Sequence, residues 1–244
     1  MEIYRTINGP FPGCPSYGVL QRLYQSALPK LKLDIADCSL EQLTERDSKM
    51  FFPKSAIYTV LDKETVETVL GCTKECCKAR AERSKTEFPT LVNWVMNDAR
   101  TLLAILIYLG HTQWINTFKA NQLNNNNLDR LITFVANHKP SGLSSGFSRS
   151  YERTLDLFRP PVFVMGQPIF TYEDNQRFPY INDEYKAKGS FAEVRKFLIH
   201  PDYLDGSVKE IFAKKIYSSP SPIVGNTAVS VSVVFVFSRA LTDN

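Results

Sequence analysis

From Asp62 to about His138 apolar residues recur at three- and four-residue spacing; beyond about Asp156 the period shortens to runs typical of strands. The first half of that pattern predicts helices. "DKETVETVL" places Asp62 as N-cap, with Glu64 and Glu67 early in the helix, where the positive end of the dipole favours them. "PTLVNWVMNDARTLLAILIYLG" begins with Pro89, tolerated in a first turn, and stops at Gly110, a natural C-terminal residue. It predicts one long, mostly buried helix. "HTQWINTFKANQL" sets Trp114, Ile115 and Phe118 on one face, and core packing is the expected role of Trp114 rather than ligand contact. The run Asn124 to Asn127 then breaks the chain before "LDRLITFVANH".

On either side of this helical stretch the signals are weaker. Residues 1–61 contain "NGPFPGCPSYG" and short apolar periodicities in "VLQRLYQSALPKL" and "SLEQLTERD", which predict an irregular arm with short helices. "KPSGLSSGFSRS" is small, polar and glycine-bearing, so a linker is placed over 139–155. After it, "PPVFVMGQPIFTYEDNQRFPYINDEY" is rich in Val, Ile, Phe and Tyr and punctuated by Pro and Gly, the pattern of short strands and turns. The expected fold class is α+β, a helical domain over 62–138 followed by a mainly β unit over 156–216.

Composition narrows the classes without selecting one. The chain has 244 residues, 43% of them hydrophobic and 22% charged, enough to bury a core. Its net charge of +4 is spread along the sequence, and the most charged stretch, Lys74 to Glu87, alternates in sign as a solvated helix face does. A nucleic-acid partner is therefore not expected. The longest apolar runs, "LLAILIYL" and "VVFVF", are far shorter than a membrane span, and the start "MEIYRTINGP" lacks the form of a secretory signal. No membrane association is expected, and the reading is an intracellular protein, cytoplasmic or nuclear.

Five cysteines include the crowded "CTKECC", with Cys72, Cys76 and Cys77. A zinc site needs a fourth ligand at suitable spacing, whereas His111, His138 and His200 lie far apart in the chain. Reduced, partly buried thiols are expected instead.

The stretch with the most chemistry in it is "AKGSFAEVRK". By itself it is compatible with a plain turn between two strands, since short glycine motifs arise often by chance. In protein kinases a hairpin of pattern G-x-G-x-x-G-x-V covers ATP, and a third strand carries V-A-I-K. Anchored on Val194, the glycine positions fall on Ala187, Gly189 and Ala192, so only the middle glycine is kept. That position is the one where a Cβ would most obstruct close approach of backbone amides to phosphate. Downstream, "FAKKI" puts Ala213 and Lys215 in the V-A-x-K register.

Together, "LFRPPVFVMGQPIF", "FPYINDEYKAKGSFAEVRKFLIHPDY" and "FAKKI" resemble the start of the kinase domain in a large group of filamentous-fungal protein kinases. "NDARTLLAILIYLGHTQWINTFKANQLNNNNL" resembles the helix pair that precedes that domain. The likeness covers about residues 97–216. It implies ATP-dependent phosphorylation of Ser or Thr as the family's role, with ATP and Mg as its ligands. It also implies a nucleotide-binding set, vestigial here, of Ala187, Lys188, Gly189, Ser190, Phe191, Ala192, Val194, Ala213 and Lys215, with Lys215 facing the α- and β-phosphates.

The same resemblance exposes what is missing. The chain contains no H-R-D, D-F-G or A-P-E, and after Lys215 its single acid is Asp243. Phosphoryl transfer relies on positioning and on metal and charge stabilisation that those residues supply. No catalytic residues are assigned, no cofactor is required as encoded, and the β unit is expected to be an incomplete kinase-like N-lobe. The tail "YSSPSPIVGNTAVSVSVVFVFSRALTDN" departs from the acidic helix expected of the family, and residues 217–244 are expected to be non-family sequence, as read-through or a truncating lesion leaves. Its "VSVSVVFVF" is nonetheless a strong strand former that could pair with an open sheet edge. The alternative function is a helical interaction or scaffold module that binds a protein partner and no nucleotide.

Overall fold

The structure is a computed structural model and describes residues 13–27, 50–72, 87–138, 146–164, 169–171, 177–188, 192–205, 211–217 and 232–237. Its class is α+β, as the change of period indicated. In chain order the helices are α1 (Pro15–Ser26), α2 (Lys54–Val60), α3 (Lys63–Leu70), α4 (Glu87–Trp94), α5 (Arg100–Tyr108), α6 (Ile115–Ala120), α7 (Arg130–His138) and α8 (Phe147–Phe158).

The helix expected over 89–110 spans α4, one π turn at Val95–Ala99, and α5. Every residue of α5 from Thr101 to Ile107 is buried, and a helix apolar all round has to be enclosed by other elements. α1, α2 and α8 enclose it. The helix stops where Gly110 adopts φ 72°, with His111 N–H donating to Leu106 O at 2.7 Å and Gly110 N–H to Ile107 O at 3.1 Å. That bond pair is a Schellman cap, and a positive φ there favours glycine. Asp62 caps α3 as its position suggested, accepting from Thr65 N–H at 2.8 Å.

The π turn opens the bond that would join Leu102 N–H to Asp98 O. Asn125 fills the gap from outside the helix. Its backbone N–H donates to Asp98 O at 2.9 Å, and its Oδ1 accepts from Leu102 N–H at 3.0 Å. The neighbouring asparagines fold the loop on itself: Asn127 Oδ1 accepts from Asn124 N–H at 2.7 Å, and Asn127 Nδ2 donates to Gln122 O at 2.9 Å. The asparagine run that looked like a simple break thus completes the helix beside it.

Two boundaries differ from the sequence reading. Within 1–61, the arm does contain short helices, but Val19, Leu20 and Leu23 of α1 and Ile57 and Val60 of α2 belong to the same buried core as α3 and α5. Their apolar faces are too continuous to remain loose. Within the expected linker 139–155, residues 147–155 are the first part of α8, whose Phe147, Tyr151 and Leu155 are buried. Polar serines and arginines mask that stripe in the sequence. Tyr151 donates to Leu128 O at 3.1 Å, and Arg159 forms a two-pronged pair with Asp129 at 2.6 and 2.7 Å.

The strands are β1 (Phe163–Val164), β2 (Ile169–Thr171), β3 (Tyr180–Lys188), β4 (Ala192–Ile199), β5 (Leu204–Asp205), β6 (Ile211–Tyr217) and β7 (Ser232–Phe237). β1 and β5 pair in parallel; the others form an antiparallel sheet in the order β3-β4-β6-β7-β2. β3, β4 and β6 are a meander, and β7 from the tail continues it by pairing with β6. The strand-forming tail segment therefore covers a sheet edge, which removes a row of open backbone groups.

Candidate functional site

The hairpin singled out in the sequence is formed by β3 and β4. Ala187 and Lys188 close β3, Ala192 and Val194 lie in β4, and Ala213 and Lys215 lie in β6, while Gly189, Ser190 and Phe191 fall outside the described residues. Register brings three of the candidates into one row: Ala187 opposes Val194, and Val194 opposes Lys215. Lys188 opposes Glu193, Ala192 opposes Tyr217, and Ala213 opposes Lys196. Val194 thus separates the end of the first strand from the lysine of the third. The alignment needs no adjustment between β4 and β6, where seven successive pairs run from Ala192↔Tyr217 to Leu198↔Ile211. Between β3 and β4 the register shifts at Tyr185/Ala187, immediately before the row, and a bulge of this kind re-aims the strand end.

A second constellation, absent from the sequence reading, joins the sheet to the helices. After β4 the chain turns through His200 into a 3-10 turn, Pro201–Tyr203. That turn meets the segment preceding α2. Asp202 Oδ2 accepts from Ser55 N–H at 2.7 Å and from Ser55 Oγ at 2.8 Å. Tyr203 donates its hydroxyl proton to Phe52 O at 3.0 Å, and its ring meets Phe51 edge to face at 5.7 Å. Phe51 also meets the His200 ring edge to face, and Phe52 N–H donates to Leu157 O of α8 at 2.8 Å. Residues 50–55 are therefore held between α8 and the turn.

Ser55, Asp202 and His200 are the residue types of a nucleophilic triad, but their bonds are arranged for another purpose. A nucleophilic serine donates to the imidazole, which the carboxylate orients. Here Ser55 Oγ donates to the carboxylate itself, and His200 Nδ1 accepts from Asp202 N–H at 3.2 Å. Pro53 at the N-cap of α2 provides no side-chain acceptor, so Asp202 supplies one from 147 residues away in sequence. An anion at that end also complements the helix dipole. The cluster is a fastening. Desolvation pushes the Tyr203 phenol far up, and the neighbouring Asp202 charge adds to the rise, so it remains a hydrogen-bond donor. The available signals were a helix start lacking its own cap in "FPKS" and an acid in "HPDY", and nothing in the sequence joins them.

Among the described residues no group of three or more His, Cys, Asp and Glu is placed to hold a metal ion. No helix among them is long and apolar enough to cross a membrane. No protein-family model, curated protein or solved structure matches this chain.

Proposed function

We propose that this chain is a protein-kinase-like protein whose strands β3, β4 and β6 carry the nucleotide-covering arrangement. The observation that carries the reading is the row Ala187, Val194, Lys215 across β3, β4 and β6. A hairpin followed by an antiparallel lysine-bearing strand is the arrangement in which a turn covers phosphates and the lysine reaches them. The residues of the phosphotransfer step, the H-R-D aspartate and the D-F-G aspartate, are absent from this sequence. Nucleotide is a ligand in this reading, with ATP and Mg as the family's pair, and Ser or Thr phosphorylation is the family's role.

The test is a thermal-shift titration of the full chain with Mg-ATP, with Lys215→Ala in parallel. Ligand at about 100 times its Kd stabilises by about 2.7 kcal/mol, a readily measured rise in Tm. The expected result is a saturable rise that Lys215→Ala removes without lowering the Tm of the unliganded protein. A flat titration overturns nucleotide binding.

A second reading, a helical interaction or scaffold module, is favoured by a separate observation. The contacts at Asp202 and Tyr203 fasten helices to sheet, as a scaffold requires. A flat ATP titration together with retention of a protein partner through residues 62–138 is the outcome that supports it.

A further inference from the structure

Cys14 and Cys72 lie 58 positions apart in sequence, yet their sulfurs are 3.7 Å apart. Both are thiols and both are buried. They form a small cluster of their own, separate from the main hydrophobic core, so filling that core does not explain two cysteines here. Each stands just beyond a helix end: Cys14 is the N-cap of α1, with extended backbone, and Cys72 follows Gly71, the C-cap of α3. Neither backbone is locked by helical hydrogen bonding on both sides, so each side chain can turn the remaining distance to a bond of about 2.05 Å. A second contact already sets α1 against α3, with Arg22 Nη2 donating to Thr65 Oγ1 at 3.2 Å.

We propose that Cys14 and Cys72 are a reversible dithiol–disulfide pair, oxidised by low-molecular-weight disulfides of the glutathione type. One cysteine, as thiolate, attacks a sulfur of the small disulfide, forming a mixed disulfide and releasing one small thiolate. The second cysteine thiolate then attacks the protein sulfur of that mixed disulfide and expels the other small thiolate. The two protons leave with the two departing thiols, both cysteine sulfurs are oxidised, and one small disulfide is reduced. Because both thiols are buried, the first attack waits on a local opening of a helix end, so exchange is slow relative to an exposed thiol. The product clamps the start of α1 to the end of α3 and closes a loop spanning most of the helical part's N-terminal half.

The experiment uses the full chain equilibrated with glutathione disulfide, then alkylated and mapped by mass spectrometry without reduction. The expected result is a peptide linking Cys14 to Cys72, two hydrogens lighter than the reduced pair and abolished by dithiothreitol, with Cys38, Cys76 and Cys77 alkylated. A second protein, with Cys38, Cys76 and Cys77 all replaced by Ser, controls for competing pairings. Its oxidised form is expected to melt several degrees above its own reduced form, at most on the order of 10 °C for a loop of this length. Cys72 joined instead to Cys76 or Cys77, or Cys14 and Cys72 both still alkylated at equilibrium, overturns the proposal.

Discussion

His111 shows how a single side chain sets a condition on the whole fold. It follows the glycine that ends α5, is buried, and packs its ring edge to face against Phe147 at 5.0 Å. Among the described residues its Nδ1 has no hydrogen-bond partner. Desolvation holds its pKa below the ordinary value of 6.5, so the folded protein keeps the imidazole neutral where the unfolded chain would protonate it. The unfolded state then binds the extra proton, and stability falls as pH drops below 6.5 toward the folded-state value. Above 6.5 both states are neutral and this contribution is complete. Urea unfolding at pH 7.5, 6.5 and 5.5 is expected to show a decline on the acid side, at most about 1.4 kcal/mol per pH unit for one proton. In His111→Gln, which cannot titrate, the part of that decline due to this site should vanish. An unchanged slope in the variant would show that His111 does not carry it.

At the scale of an element, the long helix through α4 and α5 depends on a residue outside it. Asn125 Oδ1 accepts the Leu102 amide that the π turn releases, and Leu102 is fully buried, so water is a poor substitute. Asn125→Ala keeps the backbone bond to Asp98 O but orphans that amide, a loss of about 1–3 kcal/mol. Urea unfolding should report this loss, and hydrogen exchange should accelerate at the Leu102 amide ahead of amides further along α5. Asn125→Asp retains an acceptor and should recover part of the loss; equal exchange rates in wild type and Asn125→Ala would mean the bond is not needed. The same element shows what a sequence discloses. Its C-terminal limit at Gly110 was legible because a C-terminal glycine acts within one turn, as was Asp62 three residues before its partner Thr65, whereas the helix already runs from Glu87, two residues before Pro89. The strands on either side of the "AKGSFAEVRK" turn were legible from strand-forming residues broken by turn residues. The π turn, the partner of Asn125 and the meeting of Cys14 with Cys72 were not, since each depends on chain segments that tertiary packing brings together. α8 was missed for another reason: its buried Phe147, Tyr151 and Leu155 are spaced correctly for a helix, but the serines and glycines before them read as a linker.

For the whole molecule, the decisive question is whether helices and sheet unfold together. They are joined where residues 50–55 meet the turn at 200–203, through two bonds to Asp202, one from Tyr203 and the Phe51 ring contacts. Arg177, just before β3, adds a bond to Met50 O at 3.3 Å. Tyr203→Phe keeps the ring and removes only the hydroxyl bond to Phe52 O, an expected loss of about 1–2 kcal/mol. Tyr203→Ala removes the packing as well, and truncating a buried aromatic costs about 3–5 kcal/mol. The two tryptophans, Trp94 and Trp114, both lie in the helical part, so their fluorescence follows that part alone, while amide exchange in β3 and β4 follows the sheet. In the wild type the two readouts should share one transition. In Tyr203→Ala, and more so with Asp202→Ala added, the β3 and β4 amides should lose protection at lower denaturant than the tryptophan transition, because the sheet has lost its fastening while the core around α5 is intact. Coincident transitions in the double variant would mean that the two parts are coupled by contacts other than this turn, and would move the fastening elsewhere along their boundary.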